Sequence, residues 1–223
     1  MKNTSRGIFI LLILGSLLVG CTPSGSTIAG TWFANIGKIN FMQEGNKITG
    51  TIEGYGGQWN EVFEGTLTNN MAVFDTEWFG KFTLVFDGGT FKSGSPDLAF
   101  CGIRAGDKNE LPAGCGYSGR WNVPPKAIFL EGSYLELKQI EDNVTGTFYN
   151  GDGTIYDTVS GSVYWGKGWM MDGTTAKHGK IILDVNAEET GLMIISDEFS
   201  YDQHLCAARE GQTKPYLGAY YCE

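Results

Sequence analysis

Residues Phe41 to Ile52 read FMQEGNKITGTI, and Leu137 to Phe148 read LKQIEDNVTGTF. The second stretch repeats the first at an offset of 96, so that Gln43 falls on Gln139, Thr49 on Thr145, Gly50 on Gly146 and Thr51 on Thr147. Ile48 likewise falls on Val144, and Asn46 on Asp142. An internal repeat comes before other sequence signals, because it says that one supersecondary unit is used twice. In the first copy Ile39 and Phe41 share one face, while Asn40, Met42 and Glu44 share the other. Gly45-Asn46 supplies a two-residue turn, where both residue types tolerate positive φ. Lys47 to Gly54 alternates again, with Ile48 and Ile52 on the apolar face. Period-two alternation on both sides of a tight turn predicts a hairpin of half-buried strands.

The rhythm continues outward. Glu61 to Thr68 puts Phe63 and Leu67 on one side, Asn69-Asn70 turns the chain, and Met71 to Trp78 returns. Lys81 to Asp87 groups Phe82, Leu84 and Phe86, Gly88-Gly89 turns into Thr90 to Ser93, and Leu98 to Arg104 follows. That makes about eight short strands joined mostly by hairpins, the pattern of an up-and-down meander. Closing such a meander into a barrel removes its edges. Gly50 and Gly65 fall on the apolar face, where glycine relieves crowding as strands bend. In the second unit Thr158 to Tyr164 matches Val62 to Thr68, and Gly179 to Leu183 matches Gly80 to Leu84. The expected fold is all-β, with two tandem antiparallel meander units, each an up-and-down β-barrel of about eight strands. One larger sheet shared by both repeats is the alternative. The second unit starts at either Gly119-Arg120-Trp121 or Glu131-Gly132-Ser133-Tyr134, since both echo Gly30-Thr31-Trp32. The expected division is a signal peptide over 1–20, a tether over 21–27, the first unit over 28–121, a linker over 122–127 that contains Pro124-Pro125, and the second unit over 128–223.

Lys2 and Arg6 precede an apolar run from Gly7 to Leu18. That run is short for a bilayer, which needs about 20 residues, and has the form of a secretory signal peptide. Leu18-Val19-Gly20-Cys21 resembles the lipobox of bacterial lipoproteins. The resemblance implies cleavage before Cys21, a diacylglycerol thioether on its sulfur and an acyl chain such as palmitate on its amine. Those chains would anchor the protein to a membrane, since each buried CH₂ contributes about 0.8 kcal/mol. An ordinary signal peptide with an incidental cysteine is the alternative. Thr22 follows the cysteine, which by analogy with enteric lipoproteins favours the outer membrane of a Gram-negative host. The expected location is the bacterial cell envelope, with the domains in the periplasm or at the cell surface.

Loss of Lys2 and Arg6 takes the formal net charge from -9 to -11. Nucleic acids and anionic membrane surfaces select for basic patches, so neither is the expected partner. With 33 glycines and only 18% charged residues, the composition suits a turn-dense β protein.

With Cys21 assigned to lipid, four cysteines remain. Phe100-Cys101-Gly102-Ile103-Arg104 aligns with Leu205-Cys206-Ala207-Ala208-Arg209, and a further cysteine follows each. The duplicated order favours disulfides Cys101–Cys115 and Cys206–Cys222, among three possible connectivities, in an oxidising compartment. A closed loop of this size contributes about 3 kcal/mol. A zinc site is the rival, but no paired Cys-x-x-Cys or close histidines occur, and His178 and His204 stand apart. Arg104 and Arg209, three residues after their cysteines, are expected to clamp carbonyls or form a salt bridge there.

Ile28 to Gly54 resembles the opening of avidin-like and lipocalin-like small barrels, with a Gly-x-Trp strand and a hairpin ending in Thr-Gly-Thr. The resemblance implies the barrel fold. It carries over no biotin-binding residue, since the avidin signature near the last strand is absent. The ligand-binding candidates are Tyr55, Trp59, Trp78, Trp165 and Trp169. The loop Tyr55 to Asn60 combines aromatics with amides and can stack on a sugar or rim a barrel mouth. The competing reading has these indoles capping the barrel cores. Asn150 to Ile155 resembles part of a calcium loop, but Phe148 and Val159 would then hold its first and twelfth positions, so a hairpin turn is expected. No metal and no cofactor are expected. Glu61, Glu64, Asp75 and Glu77 lie close in sequence, yet nothing selects the positioned pair a glycosidase needs, so a solvated surface is expected for them, and no catalytic motif stands out. The expected function is non-catalytic binding of a small apolar molecule or a glycan at a barrel mouth. The alternative is a structural or protein-interaction lipoprotein, including a hydrolase inhibitor, that acts through its outer surface. An enzyme acting on envelope glycans ranks third.

Overall fold

The computed structural model describes residues 27–57, 59–94, 99–106, 108–125, 129–165, 169–186, 189–196 and 205–212. Within them, sixteen strands form two closed barrels. In the first, β1 (Gly30–Ala34), β2 (Gly37–Glu44), β3 (Lys47–Gly54), β4 (Asn60–Thr68), β5 (Met71–Thr76), β6 (Gly80–Asp87), β7 (Thr90–Ser93) and β8 (Cys101–Arg104) pair in chain order. β8 then returns to β1 and closes the ring. In the second, β9 (Gly119–Asn122), β10 (Tyr134–Ile140), β11 (Asn143–Tyr149), β12 (Ile155–Trp165), β13 (Trp169–Thr175), β14 (Gly179–Val185), β15 (Gly191–Ser196) and β16 (Leu205–Arg209) do the same, with β16 paired to β9. The two-barrel reading of the sequence holds.

One boundary moves. The sequence-based division leaves Gly119-Arg120-Trp121 in the first unit and assigns residues 122–127 to a linker, whereas β9 is the opening strand of the second barrel. The reason is Trp121, which is fully buried in the second core and opposes Leu135 on β10 and Arg209 on β16. The true echo of Gly30-Thr31-Trp32 is therefore Gly119-Arg120-Trp121.

The repeated residues have repeated jobs. Phe41 opposes Gly50, and Leu137 opposes Gly146. A Cβ on Gly50 would lie 2.5 Å from Phe63 Cζ, and one on Gly146 would lie 2.5 Å from Leu137 Cδ2. Thr-Gly-Thr thus leaves one inward position empty so that large inward neighbours fit. Gln43 Oε1 accepts from Ile28 N at 2.9 Å, and Gln139 Oε1 accepts from Tyr117 N at 3.1 Å. Each glutamine ties down the chain just before its barrel opens. Trp32 Nε1 donates to Ile28 O, and Trp121 Nε1 donates to Tyr117 O, both at 2.9 Å. Arg104 lies 4.9 Å over the Trp32 ring and Arg209 4.1 Å over Trp121. Arg104 donates to Ala29 O and Thr27 O, and Arg209 to Ser118 O, Gly116 O and Glu189 O. Both arginines are carbonyl clamps, and both stack on the indole of the first strand, where a half-buried cation–π contact contributes about 0.5–2 kcal/mol.

Among the described residues, large apolar side chains crowd both interiors. Phe41 meets Phe63, Phe74 and Phe86 at centroid distances of 5.4, 5.6 and 5.6 Å, and Trp32 meets Phe86 at 5.3 Å. Such pairs contribute about 0.5–1.5 kcal/mol beyond their burial. The second barrel is packed mainly with aliphatic side chains, among them Leu137, Val159, Met171, Ile181 and Leu183. Small eight-stranded barrels either fill their lumen or hold one ligand, and among the described residues large apolar side chains pack the interior of both.

The barrels meet end to end. Tyr55, in a 3₁₀ turn at Tyr55–Gly57 between β3 and β4, joins the core cluster of the second barrel, while its OH donates to Ala34 O at 2.5 Å. Burial pushes its phenol pKa well up, with Asp142 and Glu141 adding to the rise. Tyr117 plugs the second barrel from the same side, its OH donating to Leu183 O at 2.9 Å.

Candidate binding sites

The junction between barrels is built around Asn35, in the β1–β2 turn. Its backbone N–H donates to Cys101 O at 3.0 Å, its Oδ1 accepts from Cys101 N at 3.1 Å, and its Nδ2 donates to Ala99 O at 2.8 Å. Nδ2 also donates to Glu189 Oε1, across the junction. Cys101, on β8, is disulfide-bonded to Cys115, which precedes β9, with Cα atoms 5.7 Å apart. The first expected disulfide is therefore present, and it staples the last strand of one barrel to the entry of the next. Cys206 is disulfide-bonded, and its expected partner, Cys222, lies outside the described residues, as does Cys21.

Glu189, in the β14–β15 connection, is 4% exposed and sits at φ 55. Oε1 accepts from Asn35 Nδ2 and from Gly116 N at 3.0 Å. Oε2 lies 3.5 Å from Cys101 Sγ, a disulfide sulfur with no hydrogen to donate. Burial raises the carboxyl pKa to about 7, against the pull of Arg209, the Gly116 N–H and Asn35. Arg209 is lowered to about 10 by its own burial, opposed by Glu189, and stays protonated at neutral pH. Beside this carboxylate a groove of about 320 Å³ opens between the barrels, bordered by Lys92, Phe100, Cys101, Glu189, Arg209 and Gln212.

A second feature lies on the rim of the first barrel, at the end that also carries the β1–β2 turn. Trp59 and Trp78 stack at a centroid distance of 5.9 Å and an interplanar angle of 16°. Trp59 is 5% exposed and Trp78 is 61% exposed, so the pair presents one open indole face. The turn that carries Trp78 is locked. Glu61 Oε1 accepts from Trp78 N at 2.7 Å, Thr76 Oγ1 accepts from Phe79 N at 3.0 Å, and Thr76 Oγ1 donates to Gly80 O at 3.1 Å. The second barrel repeats the device with Asp157, whose Oδ1 and Oδ2 each accept from Lys177 N at 3.2 Å, and with Thr175 Oγ1, which accepts from His178 N at 2.8 Å. There the displayed residues are Lys177 and His178. The His178 ring stacks on Tyr156 at 5.6 Å, and its Nε2 shares a hydrogen bond of 2.8 Å with the tyrosine OH.

Of the five aromatic candidates, the structure brings Trp59 and Trp78 together. Tyr55 turns away from them into the second core. Trp165 and Trp169 oppose each other in the β12–β13 register. Their side chains lie outside the described residues, as does His204. Asn150 to Thr154 is a turn closed by Asp152 Oδ1, which accepts from Thr154 N at 2.9 Å and from Thr154 Oγ1 at 2.7 Å. Those two bonds hold the Asp152 carboxyl below its usual range. Glu61, expected on a solvated surface, is buried. Its place two before Phe63 and six before Leu67 was the signal, since equal parity on a strand means a common face. No such parity marks Glu189, which lies in a connection.

Comparison of the chain with protein-family models, with curated proteins and with solved structures finds no match. What the fold defines is a class of architecture: a tandem pair of eight-stranded up-and-down β-barrels, joined through a buried polar junction.

Proposed function

We propose that this protein is a lipid-anchored lipoprotein of a bacterial cell envelope that binds a glycan, without catalysis, at the rim of its first barrel. The observation that carries this reading is the Trp59–Trp78 pair. One indole is buried and fixes the other, whose outer face is open and whose backbone is held by Glu61. A flat, preorganised apolar face complements the apolar face of a pyranose and loses little conformational entropy on binding. The dense apolar clusters of described side chains inside both barrels favour the rim over a lumen as the place for a ligand. Cys21 would supply the anchor, through the lipobox resemblance at Leu18 to Cys21.

The test is tryptophan fluorescence of the full-length protein in detergent, titrated with soluble peptidoglycan fragments and neutral oligosaccharides. A saturable change that disappears in Trp78→Ala supports the reading, and silence across the panel overturns it. Cys21→Ser tests the anchor separately, by loss of the lipid mass. A protein-interaction role is the second reading. It is favoured by Met42 and Val62, which are large, apolar and exposed on the outer face of the first barrel.

A further inference from the structure

We propose that the groove between the barrels is a second binding site, for a small zwitterion: an α-amino acid or dipeptide whose ammonium group sits on Glu189 and whose carboxylate meets Lys92. This site shares no residue with the aromatic rim and stands independently of it.

Donors are unevenly shared between the two oxygens of Glu189. Oε1 of Glu189 already receives two N–H groups. Oε2 receives none among the described residues, because its close neighbour, Cys101 Sγ, carries no hydrogen. A buried acceptor without a donor is costly, and a charged one more so. Glu189 is among the residues that line the groove, and the proposed ligand would bring its donor to Oε2 from that side.

The groove wall is of the other sign. Lys92 opposes Cys101 in the β7–β8 register, so both project from the same outer face of the first barrel. Lys92 makes no ion pair among the described residues. Arg209 spends three of its five N–H groups on carbonyl oxygens. A simple cation entering this space meets Lys92 and Arg209, and a simple anion meets Glu189. A molecule with both signs finds a partner for each, and opposite charges placed this way fix its orientation. Phe100 and Ala99 supply an apolar wall for a small side chain. The volume of about 320 Å³ lies at the small end of the range for ligand pockets.

The test is calorimetry on the full-length protein in detergent at pH 8, with four probes: alanine, alanyl-alanine, N-acetyl-alanyl-alanine and alanyl-alaninamide. At least one of the two free zwitterions is expected to bind saturably, and the comparison of alanine with alanyl-alanine sets the span between the charges. Blocking the ammonium or the carboxylate is expected to weaken binding at least tenfold. Glu189→Gln is expected to cost the zwitterion at least tenfold, and Lys92→Ala to remove its advantage over the amide. The proposal is overturned by no saturable binding of either zwitterion at millimolar concentration, by equal binding of the blocked probes, or by an unchanged Glu189→Gln. Should Glu189→Gln fail to fold, Lys92→Ala decides alone, because Lys92 is exposed and anchors nothing.

Discussion

At Glu189, burial outweighs the attraction of Arg209, and the carboxyl is held up to about 7. The groups that face it are Asn35, the Gly116 N–H, the Cys101 sulfur and Arg209, with Lys92 across the groove. Arg209, lowered to about 10, stays protonated between pH 5 and 8. The folded pKa of Glu189 lies above the ordinary glutamate value of 4.5, so the folded state holds its proton to higher pH than the unfolded state. That contribution is fully present below about pH 4.5 and is lost as pH rises through about 7. Unfolding free energy is therefore expected to fall between pH 5 and 8 by on the order of 3 kcal/mol from this group. Denaturant titrations at both pH values measure it, and Glu189→Gln should flatten the difference. Phe41 makes a contrasting case, in which packing alone decides. It touches four aromatic rings in the first core, and Phe41→Ala is expected to cost about 3–5 kcal/mol at either pH.

Among the elements, the β5–β6 and β13–β14 turns show how one frame displays different chemistry. Glu61 and Asp157 hold corresponding turns by backbone N–H groups, and Trp78 stands where the other barrel has Lys177. Glu61→Ala removes the acceptor and should lower amide-exchange protection at Trp78 by about one to three kcal/mol, the cost of a buried group left unpaired. Loss of protection confined to this turn, with the barrel intact, is the expected pattern. The strands themselves were legible in the sequence because Phe63, Leu67, Phe82, Leu84 and Phe86 alternate with polar residues, and alternation is what a one-sided strand requires. The first disulfide was legible because the repeat fixes its order. Three things escaped such reading. Strand β9 is four residues long, too short to alternate visibly. Tyr55 is an aromatic in a loop, and its place in the other barrel depends on how the two units stack. Glu189 sits where no period applies, so its burial follows only from the junction that Asn35 and Cys101 build around it.

As a whole, the molecule behaves as two closed cores that share a joint. The Cys101–Cys115 bond and the Tyr55 ring both cross from one unit to the other. Cys101→Ser with Cys115→Ser is expected to lower stability by about 2–4 kcal/mol. Tyr55→Ala, a change in the first unit, should lower the melting temperature of the second, which differential scanning calorimetry resolves if the two transitions separate. A finding that Tyr55→Ala leaves the second transition in place would show that the cores are independent. The closure of each ring has one further consequence. β1 finds β8, and β9 finds β16, only after nearly a whole unit of chain lies between them. Contacts so distant in sequence place these units among the slow folders, in the millisecond-to-second range. Until its last strand arrives, each unit exposes an unpaired edge to its neighbours, so the interval before closure is when this chain is most exposed to aggregation.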